Sequence, residues 1–249
     1  MHYPIDKELH SLYLHKLPAN IKFYSRMNAI LHMFKCESDD AVNVTTYETP
    51  GYQNEIIQTY VIEPKNAERE LPCLILFHGG GFLLRASEAH YKIAKEYARR
   101  FSCKVILPDY RLAPKYTFPI PVEDCFSTYK WTLDFADILG IDRNKIIIVG
   151  DSAGGNLAAA VTLMARDRYL PMPKALMLIY PVTDRRMITE SVKKYTDTPV
   201  WNSKLSKMMW DAYLGDQIPE HIEYASPIEA TSFEQFLPVY MEVAEYDCL

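Results

Sequence analysis

The sequence has few of the residues that build disulfide frameworks, zinc sites or nucleic-acid surfaces. Its 249 residues include five cysteines, and none of them forms a C-x-x-C pair. We therefore expect reduced thiols, with no structural disulfide and no metal site. Acidic residues outnumber basic ones by 32 to 27, which gives a formal net charge of −5. This balance lacks the basic excess that binding to nucleic acid requires.

Long apolar runs are also lacking. No segment approaches the ~18 consecutive apolar residues that a membrane-spanning helix needs. Residues 1–6 read Met-His-Tyr-Pro-Ile-Asp and contain no apolar core of a signal peptide. The sequence thus predicts a cytoplasmic protein without a membrane span.

Glycine is scarce, and six of the nine glycines fall at two places, residues 79–81 and residues 150–155. The second stretch reads Gly-Asp-Ser-Ala-Gly-Gly, follows an apolar run at 146–149 and precedes a helix-forming run at 156–160. Strand, tight G-x-S-x-G turn and helix is the context of a nucleophile elbow. We predict that Ser152 stands at the end of the strand, above the helix N-terminus, as a catalytic nucleophile.

The first glycine cluster belongs to the run His-Gly-Gly-Gly-Phe at 78–82, which follows a predicted strand directly. Three consecutive glycines lose much conformational entropy on folding, and they are reasonable where backbone N–H groups must approach a substrate closely. In acyl transfer such groups stabilise the negative charge on the former carbonyl oxygen, and losing one typically costs ~10²–10³ in rate. The oxyanion donors that we predict are Gly80, Gly81 and Ala153, with Gly79 as an additional candidate.

The carboxylate that orients the catalytic base follows the serine in chain order, and the histidine follows the carboxylate. Asp247 lies just past the last apolar run, at 239–243, and is our candidate; Glu245 competes with it. We expect His78 to hold the glycine loop by hydrogen bonds, and His221 is a poor substitute base. All seven histidines precede Asp247, namely residues 2, 10, 15, 32, 78, 90 and 221.

Continuous apolar runs alternate with helical patterns from residue 72 onward. Strands that are buried on both faces have such runs, and the alternation implies a parallel sheet with helices on both faces. The predicted strands lie at 73–77, 105–107, 146–149, 176–179 and 239–243, and the helices between them at 88–101, 121–139 and 154–168. Before them, residues 6–35 predict two short helices, and 42–45 and 56–62 predict half-buried antiparallel strands.

Several motifs, in this order, resemble the hormone-sensitive lipase family of α/β-hydrolases, which includes many bacterial carboxylesterases. They lie at 78–82, 109–114, 118–119, 122–125, 150–156, 180–184, 226–227 and 245–247. The resemblance implies an α/β-hydrolase fold with about seven of eight strands present, a helical cap, and ester hydrolysis without cofactor or metal. It also implies Ser152 as nucleophile and Asp247 as acid, with Asp109, Arg111 and Glu123 supporting the oxyanion loop.

On this basis we expect residues 1–249 to form one domain. Residues 1–40 would supply cap helices, 41–185 and 216–249 the catalytic core, and 186–215 a cap insertion. An ordinary crossover helix packed on the sheet is the alternative for 186–215. The resemblance places the catalytic histidine on a loop beyond the last strand, so we expect that strand, the histidine loop and the final helix to be missing. The sheet edge would then be exposed and open to homo-oligomer formation.

The leading functional hypothesis is a lipase-like serine carboxylesterase that forms an acyl-enzyme on Ser152. Its histidine would come from outside this chain, and this 249-residue form would be inactive without it. The aromatic cap residues that would favour small to medium acyl esters are Phe23, Phe34, Trp201, Trp210 and Tyr213. Two alternatives stay open, a receptor-like small-ligand-binding member of the same fold, similar to the plant gibberellin receptors, and an amide deacetylase.

Overall fold

The computed structural model describes residues 3–14, 16–66, 70–216, 219–234 and 236–249, so His2 and His15 lie outside the described residues. The strands are β1 (Val42–Pro50), β2 (Ile56–Pro64), β3 (Leu71–Phe77), β4 (Lys104–Pro108), β5 (Ile141–Asp151), β6 (Ala175–Ile179) and β7 (Val239–Glu242). The helices are α1 (Ile21–Leu31), α2 (Glu88–Phe101), α3 (Ile120–Asp134), α4 (Ala136–Leu139), α5 (Ala153–Asp167), α6 (Glu190–Lys194) and α7 (Ser203–Leu214). A 3-10 helix, Lys7–Leu14, precedes α1.

The strands form one seven-stranded sheet in the order β1-β2-β4-β3-β5-β6-β7. The pairs β1–β2 and β2–β4 are antiparallel. The parallel pairs are β4–β3, β3–β5, β5–β6 and β6–β7. This arrangement confirms the predicted mostly parallel sheet of an α/β fold. Because the parallel strands share one direction, the loops that follow β3, β5, β6 and β7 all leave the same edge.

Both faces of the central strands are buried, as their continuous apolar sequences predict. In β3, Cys73, Ile75 and Phe77 belong to the cluster that includes residues of α3 and α5. Leu74 and Leu76 point to the opposite face and belong to the cluster that includes residues of α2. Successive side chains of a strand alternate between the two faces, so a parallel strand between two helical layers needs apolar residues at every position.

The last strand is exposed, as we expect for the edge of this sheet. Its apolar run at 239–243 is typical of a strand buried on both faces, but every residue of β7 is exposed. Among the described residues, β7 is the final strand of the sheet and pairs only with β6, so no described strand pairs with its outer edge. The predicted helix at 121–139 is also interrupted, because α3 ends at Asp134 and the short α4 begins at Ala136.

The 186–215 segment contains α6 and α7, and α7 packs on the loops at the edge where parallel strands end. The ring of Tyr213 stacks on that of Phe82, in the loop after β3. The carbonyl of Tyr213 accepts a hydrogen bond of 2.8 Å from the N–H of Phe118, in the segment after β4. In the described ranges, no helix is both long and apolar enough to cross a membrane.

Candidate active site

Ser152 occupies the sharp turn between β5 and α5. Its backbone angles are φ 52° and ψ −120°, a sparsely populated conformation for a residue with a side chain. The surroundings hold this conformation. The Ser152 N–H donates to the carbonyl of Ile179 at 2.9 Å, and its carbonyl accepts from the N–H of Val182 at 3.1 Å. The turn is therefore tied to the end of the neighbouring strand β6.

The flanking glycines are required by close packing. A Cβ on Gly150 would overlap the carbonyl of Gly154, and a Cβ on Gly154 would overlap the carbonyl of Phe77 at the end of β3. The turn thus packs directly on the backbone that leads into the 78–82 segment, which we call the oxyanion loop. Any larger residue at either glycine would force the two segments apart.

The oxyanion loop bends sharply, with φ 121° at Gly80 and 62° at Gly81. The N–H groups of Leu83 and Leu84 both donate to the carbonyl of Gly80, at 3.0 and 2.9 Å, and close the turn. Within the described ranges, no acceptor takes the N–H of Gly80 or Gly81. Ala153 opens α5, where the first N–H groups have no intrahelical partner. These three N–H groups can therefore bind an anion.

Gly79 does not fit the additional role that the sequence predicts for it. Its N–H donates to Oδ1 of Asp151 at 2.9 Å, so it is already committed inside the protein. A Cβ on Gly79 would overlap the same carboxylate. The glycine is needed for the approach of Asp151, and its N–H is not free for an oxyanion.

His78 is buried and supports the loop. Its Nδ1 donates to the carbonyl of Gly79 at 2.7 Å, and its own carbonyl accepts from the Tyr110 hydroxyl at 2.7 Å. The two rings stack with centroids 4.4 Å apart. Burial, reinforced by the nearby His90, lowers the pKa of His78 to about 3. The ring is therefore neutral at physiological pH and is unsuited to accept a proton from Ser152.

Asp109 reaches the oxyanion loop through Arg85, which lies just after the loop. The two side chains form a close ion pair. The backbone of the same segment is held by α1, because Asn28 accepts from the N–H of Arg85 at 3.0 Å and donates to the carbonyl of Leu83 at 2.7 Å. The described contacts of Asp109 thus hold the segment that continues the loop.

Arg111 pairs with Asp124, a residue that the sequence argument did not select. Its Nε and Nη2 donate to the two carboxylate oxygens at 2.8 and 2.7 Å, and the Asp124 side chain is fully buried. Glu123 instead pairs with Arg168, at 2.6 and 2.9 Å, beyond the far end of α5. The expectation that Glu123 supports the oxyanion loop is therefore wrong. Successive helix residues point about 100° apart, and Asp124, not Glu123, faces Arg111.

Asp247 follows β7 at the edge where the parallel strands end. It is half-buried, and burial raises its pKa above the ordinary value. Its Oδ1 accepts from the N–H of Leu249 at 2.9 Å, whereas Glu245 is exposed. Burial and the charges of Asp151, Glu242 and Asp247 raise the pKa of Tyr180. The carboxylates of Asp151 and Asp247 therefore both raise the pKa of Tyr180, a side chain close to the turn that contains Ser152.

His221 lies far from Ser152. Its ring stacks on Tyr224, whose hydroxyl donates to Asp167 at the last turn of α5. Ser152 precedes the first turn of the same helix, and 15 residues at 1.5 Å each separate the two ends by roughly 20 Å. The structure thus excludes His221 as a base for Ser152.

Asp151 and His90 are the residues that the sequence argument missed. Nε2 of His90 lies 3.6 Å from Oδ2 of Asp151. Asp151 stands inside the predicted elbow, so the motif itself could have drawn attention to it. His90 is 61 positions earlier in the chain, and no local pattern links the two. The described part of the chain contains no group of three or more residues that could hold a metal ion.

Comparison with known proteins shows which fold family the chain resembles. A family model described as the alpha/beta hydrolase fold matches residues 74–249. An arylesterase of Saccharolobus solfataricus is 35% identical over 178 residues, which are 70% of this chain and 56% of that protein. Hormone-sensitive lipase of Mus musculus is 33% identical over 162 residues, 64% of this chain and 21% of that protein. The chain thus spans less than two thirds of these relatives.

The structure of a bacterial heroin esterase has a TM-score of 0.87 to this chain and is 30% identical to it. The match covers 98% of this chain and 80% of the esterase. The predicted resemblance to hormone-sensitive lipase and bacterial esterases is confirmed.

Proposed function

Because the chain belongs to the alpha/beta hydrolase fold family, we propose that it carries the acyl-transfer site of a serine hydrolase that cleaves carboxylic esters. One observation carries this proposal, the strained Ser152 beside the uncommitted N–H groups of Gly80, Gly81 and Ala153. The similarity to esterases and to a lipase supports an ester as the substrate. It does not favour the receptor-like or amide-cleaving alternatives.

In the proposed reaction, Oγ of Ser152 attacks the acyl carbon while its proton passes to a base. The electron pair of the carbonyl moves onto oxygen, and the N–H groups of Gly80, Gly81 and Ala153 stabilise that charge. The C–O bond to the alcohol then breaks, and the alcohol leaves with the proton. Water hydrolyses the acyl-enzyme on Ser152 by the same steps and releases the acid.

The proposal assigns the proton transfer to an imidazole that Asp247 orients. Asp247 supports this role because it is half-buried at the correct edge of the sheet, whereas Glu245 is exposed. His78 is buried and neutral, His90 is held beside Asp151, and His221 lies at the far end of α5. None of these three described histidines is placed to serve Ser152, and we propose that the histidine comes from outside this chain.

We further propose that residues 1–40 and 186–215 form a cap over this site, with 41–185 and 216–249 as the core. A Cβ on Gly81 would lie 2.7 Å from the Trp201 ring, so the insertion directly touches the oxyanion loop. A cavity of about 60 Å³ lies beside the end of β6, with Trp210, Met187 and Cys248 in its lining. We propose small to medium acyl groups as substrates because two aromatic rings of the insertion, Trp201 at Gly81 and Trp210 at Phe82, crowd the space beside the oxyanion loop.

The proposed setting is the cytoplasm, and the proposed partner is a second copy of this chain. Five buried free thiols fit a reducing compartment. The unpaired edge of β7 can accept another strand, and a cleft of about 660 Å³ lined mainly by apolar residues adjoins it. Light scattering over a range of concentrations tests this, and a concentration-independent monomer would contradict it.

The proposed nucleophile is tested by covalent labelling with a fluorophosphonate, followed by intact-mass measurement. The wild-type chain should gain one adduct, and Ser152→Ala should gain none. Labelling does not require turnover, but the serine needs a proton acceptor to react, so free imidazole is present in both samples. An adduct that persists in Ser152→Ala would place the nucleophile elsewhere.

A further inference from the structure

The Asp151 carboxylate joins the nucleophile turn to the oxyanion loop. It precedes Ser152 directly and accepts the N–H of Gly79, which precedes the proposed donor Gly80. A Cβ on Gly79 would overlap this carboxylate, so the two segments approach as closely as glycine permits. The position of the carboxylate therefore sets the separation between the Ser152 turn and the donors.

His90 holds the other side of that carboxylate, and its tautomer follows from its neighbours. The backbone N–H of Ser87 points at Nδ1 of His90 at 3.0 Å. A backbone N–H can only donate, so Nδ1 accepts and Nε2 carries the proton. This Nε2–H faces Oδ2 of Asp151 at 3.6 Å, an electrostatic contact that is longer than a hydrogen bond.

The surroundings favour an ionised Asp151. Burial raises its pKa, but contact with His90 and the Gly79 N–H outweighs burial, and the net pKa lies below the ordinary value. Ser87, the N-cap of α2, in turn holds His90 through both its N–H and its hydroxyl. A continuous series of contacts therefore runs from the start of α2 to the oxyanion loop.

We infer that His90 is a positioning residue, which holds the Asp151 carboxylate against Gly79 and thereby sets Gly80 and Gly81 opposite Ser152. This inference rests on the proposed function, because the position of the donors matters only where an oxyanion forms. His90 touches neither substrate nor Ser152 in this role. Its loss should therefore weaken the reaction less than the ~10²–10³-fold cost of removing an oxyanion donor.

The test compares His90→Leu with His90→Gln, whose side-chain amide can still donate toward Asp151. Two quantities are measured, the hydrogen-exchange rate of the Gly79 N–H by NMR and the fluorophosphonate labelling rate at Ser152 with free imidazole present as the proton acceptor. In His90→Leu, exchange should be about tenfold faster and labelling about tenfold slower, since the loop is less well held. His90→Gln should restore both to within about threefold. The exposed His32 provides the matched control, and His32→Leu should change neither rate.

Unchanged exchange and labelling in a folded His90→Leu would overturn the inference, as would a His90→Gln variant that fails to recover. If His90→Leu does not fold, Asp151→Asn replaces it. The Asn side chain has one oxygen acceptor where Asp151 has two, so it cannot face both the Gly79 N–H and the Nε2–H of His90, and both rates should change in the same directions. A proposed function that is wrong gives a different result, namely no Ser152-dependent labelling in the wild type while Gly79 exchange still responds to His90→Leu.

Discussion

The rings of Phe82 and Tyr213 lie parallel, with centroids 3.8 Å apart and an interplanar angle of 7°. Phe82 ends the oxyanion loop and has φ 58°, while Tyr213 lies in the last turn of α7. Both side chains are fully buried. This stack couples the inserted helix to the loop that carries the proposed oxyanion donors.

Replacing Tyr213 should therefore destabilise the protein and loosen the loop. Tyr213→Ala removes a buried aromatic ring and should lower the free energy of unfolding by about 3 kcal/mol or more. The control is Tyr169→Ala, because the Tyr169 side chain is 95% exposed and its loss should cost below about 0.5 kcal/mol. Urea denaturation measures both, and equal midpoints would show that the stack contributes nothing.

Two neighbouring carboxylates in α3 should differ in their effect on stability. Asp124→Asn leaves the Arg111 guanidinium, 13% exposed, without its counter-charge, and should cost about 3–5 kcal/mol. Glu123→Gln breaks a pair whose arginine is 36% exposed and should cost about 1 kcal/mol. Denaturation curves of the two variants give the loss of unfolding free energy in each. A larger loss in Glu123→Gln than in Asp124→Asn would mean that burial does not govern the strength of these pairs.

His78 should make stability depend on pH. Its pKa falls from 6.5 to about 3 on folding, so between these values the unfolded chain binds more protons than the folded one. Its contribution to the free energy of unfolding is therefore complete above about pH 6.5. The contribution decreases toward pH 3, with a slope of up to about 1.4 kcal/mol per pH unit. In His78→Gln the slope of unfolding free energy against pH should be shallower in this window. An identical slope would show that His78 titrates normally.

Free imidazole should restore hydrolysis if the site lacks only its base. We expect the hydrolysis of p-nitrophenyl butyrate to increase with imidazole concentration in the wild type, beyond the reaction of imidazole itself. Ser152→Ala should show only that background, because the serine needs a proton acceptor to become a good nucleophile. Fast Ser152-dependent turnover without imidazole would mean that a base within this chain already serves the serine.

Some features of the fold and the site follow from short stretches of sequence. The apolar runs predict β3 to β6, and the glycine spacing around Ser152 predicts the turn between β5 and α5. These features can be predicted because each depends on residues that are close together in the chain. Examples are the alternating faces of a strand and the space that a glycine leaves in a tight turn. Asp247 could be selected in the same way, as an acid just past the last strand.

Contacts between residues that are far apart in the chain could not be predicted from the sequence. They change the predicted roles of several residues. Helical phase brings Asp124, and not Glu123, to Arg111. The carboxylate of Asp151 accepts a hydrogen bond from the N–H of Gly79, so this N–H is not available to bind an oxyanion.

By itself, the sequence determined which segments become strands and helices and where the tight turn at Ser152 forms, because glycine placement and apolar periodicity act over a few residues. Only the tertiary structure decided which side chains meet across the sheet edge, among them His90 and Asp151, 61 positions apart. Such contacts depend on strand order and helix packing, which no local pattern specifies.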